Sequence, residues 1–198
     1  MTSDEPISRE DGTHGRLEGD LRGVLGTGVT FLAGASRWGT EARLRYAEMG
    51  GLLLAYEETL PKPDAEGIAR LGLVGIEVRP LFWGRWLQGM ESGRKPWDLF
   101  VDSLGLEMAA GLGQREQGPF GGERSLHLAL GLEVPLGLSL DGPWVAVRGG
   151  YRWPESIMAG TVPSMPPGQG AFVSISLAWH QTLPVSLSRS SVAEDPSP

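Results

Sequence analysis

A strict alternation of aliphatic with small or polar residues runs from Ser125 to Leu140 and leaves the chain few folds to choose from. In an extended strand successive side chains point to opposite faces, so one face of this segment is wholly aliphatic. A helix would scatter the same leucines around its axis. The pattern predicts a long β-strand, with an edge, a bulge or a break at Pro135, which has no N–H to donate.

The same alternation recurs along the rest of the sequence. It is clear in Ser103–Gly113 and Ala171–His180, and weaker in Leu21–Ala33, Ala42–Glu58, Ile68–Arg79 and Trp144–Trp153. These segments make seven strands, and a split of Ala42–Glu58 or Ser125–Leu140 would supply an eighth. Asp141-Gly142 is a two-residue hairpin signal that places the next strand antiparallel. The predicted fold is all-β, an antiparallel up-and-down barrel of seven to eight long strands.

The remaining segments suggest a single domain with two tails. Residues 1–18 and 184–198 are polar and are predicted to be disordered, leaving a barrel domain at 19–183. The apolar stretch Leu81–Met90 is predicted to form a short helix or an aromatic turn. It is either a partner- or membrane-surface element or a plug over one end of the barrel.

Composition removes several classes of function. The net charge is -7 and no basic face is visible, so we expect no nucleic-acid partner. The chain has no cysteine and none of the common metal, phosphate or nucleophile motifs, so no metal site and no cofactor are predicted. No apolar run is long enough for a membrane-spanning helix. Residues 1–20 are polar and acid-containing, and no signal peptide is visible, which favours a soluble or cytoplasmic location.

The small face of the predicted strands carries ionisable groups of both signs among Gly, Ala and Ser. Small residues suit a narrow lumen, and opposite charges inside it should pair because an unpaired buried charge is very costly. The predicted lumen charge network comprises Glu77, Arg79, Glu107, His127, Glu133, Arg148 and Arg152, with Arg43 and Arg45 as further candidates. Alternatively, these are solvated charges on the outside of a soluble sheet.

Tryptophan lies at or near the ends of several predicted strands. Trp97, Trp144, Trp153 and Trp179 would form an aromatic girdle at the interfaces of a membrane, and Trp38 lies beside a turn. Large aromatic residues can equally close the ends of a barrel core.

The segments SLHLALGLEVPLGLSL, DSLGLEMAAGLG, PWVAVRGGYRW and GAFVSISLAWH resemble the strands of small, eight-stranded outer-membrane β-barrels of Gram-negative bacteria. The resemblance implies an even-stranded barrel in the outer membrane, with the lipid bilayer as its partner. Two features depart from that family: no signal peptide is visible, and a tail follows Trp179, where the family usually ends on an aromatic residue.

Three functions remain open from the sequence. The first is an outer-membrane barrel with a filled polar lumen and a structural or interaction role, neither channel nor enzyme. The second is a soluble lipocalin-like barrel or β-sandwich that binds an apolar ligand. The third is a barrel lipid hydrolase that uses Ser174 or Ser176 with His180. The direction in which the leucines of Ser125–Leu140 point separates the first from the second.

Overall fold

The computed structural model is a closed barrel of eight antiparallel strands in sequence order. It describes residues 21–32, 35–60, 67–90, 92–137, 139–161 and 169–183. The strands are β1 (Leu21–Leu32), β2 (Ala35–Tyr46), β3 (Gly50–Leu60), β4 (Ile68–Val78), β5 (Gly105–Arg115), β6 (Glu123–Pro135), β7 (Gly142–Pro154) and β8 (Gly170–Leu183). The predicted fold class is confirmed.

The first and last strands close the barrel. Leu21 of β1 lies opposite Leu183 of β8, and the pairing continues to Leu32 opposite Phe172. We call the end that holds Leu21 and Leu183 the terminal end, and the other the opposite end. The predicted tails, 1–18 and 184–198, lie outside the described residues.

The eighth strand comes from a split of the Ala42–Glu58 segment, which was one of the two splits predicted. A tight turn at 47–49 separates β2 from β3, closed by a hydrogen bond from Met49 N to Tyr46 O at 3.0 Å. Ala47 and Glu48 both have positive φ, 46° and 56°, which makes this a type I′ hairpin turn without glycine. Its twist matches that of the flanking strands.

The structure has more helix than the sequence indicated. Helix α1 (Pro80–Gln88) confirms a helix within Leu81–Met90, whereas α2 (Lys95–Asp102) and the short α3 (Glu155–Met158) were not predicted. A proline in the first turn starts both α1 and α2, where its missing N–H costs nothing. Among the described residues, no helix is long and apolar enough to cross a membrane.

The break that was one of the outcomes predicted at Pro135 is present, whereas the prediction for Asp141-Gly142 needs correction. Strand β6 ends at Pro135, and Leu136 lies beyond it as an exposed loop residue. The link to β7 therefore spans residues 136–141, and Asp141-Gly142 is not a two-residue turn. Instead, Asp141 Oδ1 accepts hydrogen bonds from the backbone N and the hydroxyl of Thr182, at 2.8 and 2.7 Å.

Candidate functional site

The outer face of the barrel is a continuous band of exposed apolar side chains. Leu130 is 54% exposed and Ile175 is 50% exposed, although both lie in the middle of strands. Other exposed apolar side chains along the strands are Leu25, Leu44, Leu52, Leu54, Val74, Ile76, Leu106, Met108, Val134, Val147, Val173 and Leu177. Among the described strand residues, charge on this face is confined to Glu58, Arg70 and Arg124, near the opposite end. The aliphatic face of β6 therefore points outward.

The inner face is the reverse, a buried lumen that contains many charges. The buried ionic side chains are Arg22, Arg37, Arg43, Arg45, Arg79, Arg148, Arg152, Glu41, Glu48, Glu57, Glu77, Glu107 and Glu133. A barrel that is apolar outside and ionic inside has the polarity of a membrane strand barrel. The fold is that of a small outer-membrane-type barrel. The resemblance indicated by the alternating strands is thus confirmed for the fold.

Most of the lumen charges form one connected cluster, which we call the central network: Arg43, Arg45, Arg79, Arg148, Glu41, Glu77, Glu107 and Glu133. Arg43 Nη1 lies 2.8 Å from both Glu77 Oε2 and Glu107 Oε1. Arg148 Nε lies 2.8 Å from the same Glu107 oxygen. Each carboxylate is shared by at least two arginines, so four positive and four negative groups balance inside the wall.

Glu133, like Glu77, contacts three arginines of the central network. Its carboxylate accepts hydrogen bonds from Arg45 Nη2 at 2.7 Å, from Arg148 Nη2 at 3.3 Å, and from Arg79. Arg79 also reaches Glu48 at 2.8 Å, and Glu48 in turn pairs with Arg22. This chain of contacts extends the ionic filling to the terminal end of the lumen.

A second, smaller set, the Glu57 cluster, fills the lumen toward the opposite end. Arg152 binds Glu57 through two parallel hydrogen bonds, at 2.7 and 2.6 Å, the strongest geometry for such a pair. Thr30 donates to the same carboxylate at 3.1 Å, and His127 Nδ1 accepts from Arg152 Nε at 3.2 Å. The Arg152 guanidinium also lies 4.6 Å from the centre of the Phe172 ring.

Glycines on the inner face leave room for these side chains. A Cβ at Gly131 would lie 3.0 Å from Glu107 Oε1, one at Gly105 would lie 3.0 Å from Glu77 Oε1, and one at Gly26 would lie 2.9 Å from Glu41 Oε1. The carboxylates of Glu107, Glu77 and Glu41 therefore each lie against a glycine, where a side chain would collide with them. The small residues on the polar face are what allow long ionic chains to fit inside eight strands.

Little open space remains in the lumen. A cavity of about 60 Å³ lies between the two ionic groups, with Arg43, Glu57, Arg148 and Arg152 in its wall. On the β3, β4 and β5 side the filling is aliphatic, with Leu53, Ile68, Leu71, Leu73 and Ala109 in contact. The predicted polar lumen is therefore partly apolar. Among the described residues, no group of acidic and histidine side chains is arranged to hold a metal ion.

The structure places the seven predicted network residues inside the barrel. Glu77, Arg79, Glu107, Glu133 and Arg148 belong to the central network, and His127 and Arg152 to the Glu57 cluster. Sequence reasoning missed Glu41, Glu48, Glu57, Arg22 and Arg37. Arg43 and Arg45, named as further candidates, are both in the central network.

The four girdle tryptophans do not share one environment. Trp97 on α2 and Trp179 on β8 are exposed, and Trp153 is half-buried. The prediction for Trp144 is wrong, because its side chain points into the lumen and is only 2% exposed. It stacks on His180 with ring centres 4.5 Å apart and donates from Nε1 to Leu140 O at 3.1 Å, so it closes the terminal end of the core.

The hydrolase hypothesis requires a serine close to His180, and strand β8 keeps them apart. Ser176 lies four residues from His180 on the same face, which corresponds to about 13 Å along a strand, and Ser174 lies farther away. The Ser176 hydroxyl instead donates to Glu41 at 3.0 Å and accepts from Arg148 at 2.9 Å. Ser176 therefore belongs to the central network, and His180 is out of reach for proton transfer.

The comparisons with known proteins find similarity in structure but not in sequence. No protein-family model matches the sequence, and no curated protein does. The chain is similar to the crystal structure of Neisserial surface protein A, with 8% identity and a TM-score of 0.43 over 82% of this chain and 96% of that one. It is also similar to the solution NMR structure of the de novo designed TMB2.3, with 10% identity and a TM-score of 0.35 over 81% and 93% of the two chains.

Proposed function

We propose that this protein is a small outer-membrane barrel whose outer face contacts lipid and whose filled lumen serves a structural or interaction role rather than transport or catalysis. The observation that carries the proposal is the inverted polarity of the wall. A soluble monomer rarely exposes an apolar patch beyond a few hundred Å², whereas this band surrounds the whole barrel. Strands of eleven to fourteen residues, tilted by about 45°, span about 26 to 33 Å, enough for the hydrocarbon core.

The soluble, ligand-binding alternative lacks support. A barrel of that kind would need an apolar interior around a chamber of about 300 to 1,000 Å³ for a small molecule. The cavity between the two ionic groups holds only about 60 Å³ and has charged walls. A larger hollow of about 570 Å³ is lined mainly by outer-face residues such as Leu25, Leu54 and Val74, so it is not an enclosed chamber in the lumen. The ion pairs in the lumen support a solid core, because separating any of them would leave a charge without a partner in a medium of low dielectric.

Fractionation of the native full-length product tests the location. We expect recovery in the outer-membrane fraction, and a gel mobility that changes when the sample is boiled, as a stable barrel requires. Recovery in the soluble fraction without detergent would contradict the proposal.

Arginine substitution at two depths tests contact with lipid directly. Ile175→Arg places a charge at the middle of the β8 outer face, and it should make folding into phospholipid vesicles less favourable by about 2 to 4 kcal/mol. Gln181→Arg is the matched control on the same strand and the same face, near the terminal end, where the cost should be about 0 to 1 kcal/mol. Folding yields measured across a urea series give both values. Equal, small costs at the two positions would show that the middle of the band is not in hydrocarbon.

A further inference from the structure

The helices between β4 and β5 form a compact unit at the terminal end of the barrel. This helical hairpin, residues 80–102, consists of α1, the connection after Gly89 and α2. Gly89 ends α1 in the left-handed conformation, with φ of 61°, which lets the chain reverse direction. Ser103, directly after α2, accepts a hydrogen bond from Glu133 N at 3.1 Å, which ties the hairpin to β6.

The contacts that hold the two helices together are ionic. Arg85 of α1 lies 2.7 Å from Asp102 of α2 and also binds Asp98. Ser92 donates to Asp98 from its backbone N at 3.0 Å and from its hydroxyl at 2.9 Å. Burial alone would lower the pKa of Arg85, but the two aspartates raise it above its ordinary value, so the guanidinium stays charged. Asp98 and Asp102 are both buried.

Most of the large exposed side chains of the hairpin, in contrast, are apolar or aromatic. Leu87 is 65% exposed and Trp97 is 56% exposed, with the Phe100 ring stacked 5.8 Å from the latter. Leu81, Trp83 and Met90 are exposed as well. In water this arrangement would expose large apolar side chains and bury charged ones. The barrel wall has the same reversed polarity, with apolar residues outside and charged residues inside.

The hairpin also continues the lipid-facing band. Val78, the last residue of β4, and Leu106, near the start of β5, are exposed on the outer face where the chain enters and leaves the hairpin. Helices that lie in a membrane interface carry Trp, Phe and Leu on the buried side. We propose that the helical hairpin lies on the bilayer at the terminal end of the barrel, with its exposed aromatic and aliphatic side chains in the boundary between headgroups and acyl chains. This inference rests on the proposed membrane location of the barrel.

Single fluorescent labels on the full-length chain test the inference, since the protein has no cysteine of its own. Leu87→Cys reports on the hairpin, Ile175→Cys on the middle of the outer face, and Glu116→Cys on an exposed turn at the opposite end. Each variant is labelled with the NBD fluorophore and folded into vesicles of phosphatidylcholine and phosphatidylglycerol, and its heat-dependent mobility is checked. Met90→Cys replaces Leu87→Cys if that variant does not fold. Quenching is measured with aqueous iodide and with nitroxides at two acyl-chain depths.

We expect the Leu87 label to be quenched several-fold more by the shallow nitroxide than the Glu116 label, and to be several-fold less accessible to iodide. If the Leu87 label behaves like Glu116 while Ile175 is quenched by the deep nitroxide, the hairpin does not lie on the membrane although the barrel does. Protection from iodide without quenching at either depth would mean that a protein surface covers the hairpin, and would also overturn the inference. Iodide access at both Leu87 and Ile175 would instead overturn the proposed membrane location.

Discussion

At the scale of single residues, the lumen is stabilised by carboxylates that each serve several arginines. Glu133 contacts Arg45, Arg79 and Arg148, and all four side chains are buried. A neutral side chain at position 133 would leave these arginines with fewer negative partners and no route to water. The free-energy cost of this substitution comes mainly from buried cations left without a negative partner. It exceeds the cost of losing any single hydrogen bond.

Glu133→Gln should therefore lower the free energy of unfolding by about 3 to 5 kcal/mol, the usual cost of breaking a buried pair. Glu58→Gln is the control, because Glu58 pairs with Arg70 at 3.5 Å on the exposed outer face. It should change stability by less than about 1 kcal/mol. Urea unfolding in detergent micelles, followed by tryptophan fluorescence, compares the two. A similar small loss for both variants would show that the network does not stabilise the fold.

The sequence could predict network residues only where the strand pattern was clear. Glu107 and Glu133 alternate with aliphatic residues within well-marked strands, so their inward position follows from parity. Glu41 was missed because the predicted strand began at Ala42, one residue after it, and Glu57 was missed although it has the same parity as Arg43 and Arg45. Trp144 has the same parity as Arg148, so the alternation itself indicated an inward side chain there, against the girdle interpretation.

At the scale of elements, the β2–β3 turn combines a backbone cost with an ionic gain. Ala47 and Glu48 occupy the left-handed region, which costs a residue with a Cβ about 1 to 2 kcal/mol. The conformation also turns Glu48 inward, where its carboxylate pairs with Arg79 at 2.8 Å and with Arg22. Ala47 has the same backbone strain but no such partner in the described contacts.

Glycine at these two positions should have opposite effects. Ala47→Gly removes the left-handed penalty and should raise the free energy of unfolding by about 0.5 to 1 kcal/mol after the entropy cost of glycine. Glu48→Gly relieves the same strain but leaves Arg22 and Arg79 short of a partner, so it should lower stability by about 3 kcal/mol. Denaturant midpoints of the two variants provide the comparison. Stabilisation by both would mean that the Glu48 pairs contribute nothing.

The strands could be predicted from the sequence far better than the helices. Period-two alternation is a signal that survives over ten or more residues, and all eight strands follow it. Helix α2 has only eight residues, KPWDLFVD, too few for the 3.6-residue period to become visible. Its packing depends on Asp98 binding Arg85 of the preceding helix, a tertiary contact that no local pattern encodes.

At the scale of the whole molecule, the lumen is a packed interior rather than a passage. Eight strands leave just enough width for side chains, and here they are filled by two ionic groups and an aliphatic cluster. Pairs that cross the lumen, such as Arg45 with Glu133 and Arg152 with Glu57, block a straight path along the barrel axis.

We expect the reconstituted full-length protein to show no stepwise conductance in planar lipid bilayers. A wide porin of sixteen strands, added to the same membrane, serves as the positive control. Insertion of the test protein is verified in parallel by its heat-dependent mobility in vesicles of the same composition. Reproducible conductance steps from the verified protein would contradict the filled-lumen interpretation.

The way in which charges are shared between strands constrains how the barrel can assemble. Arg45 on β2 finds its partners on β4 and β6, and Arg152 on β7 finds its partner on β3. A strand that entered hydrocarbon by itself would carry these ions without their partners, at several kcal/mol for each. For the proposed membrane barrel, insertion and closure should therefore occur together, with β1 and β8 joining before the interior meets lipid. Intermediates with only some of the strands inserted should be too sparsely populated to isolate.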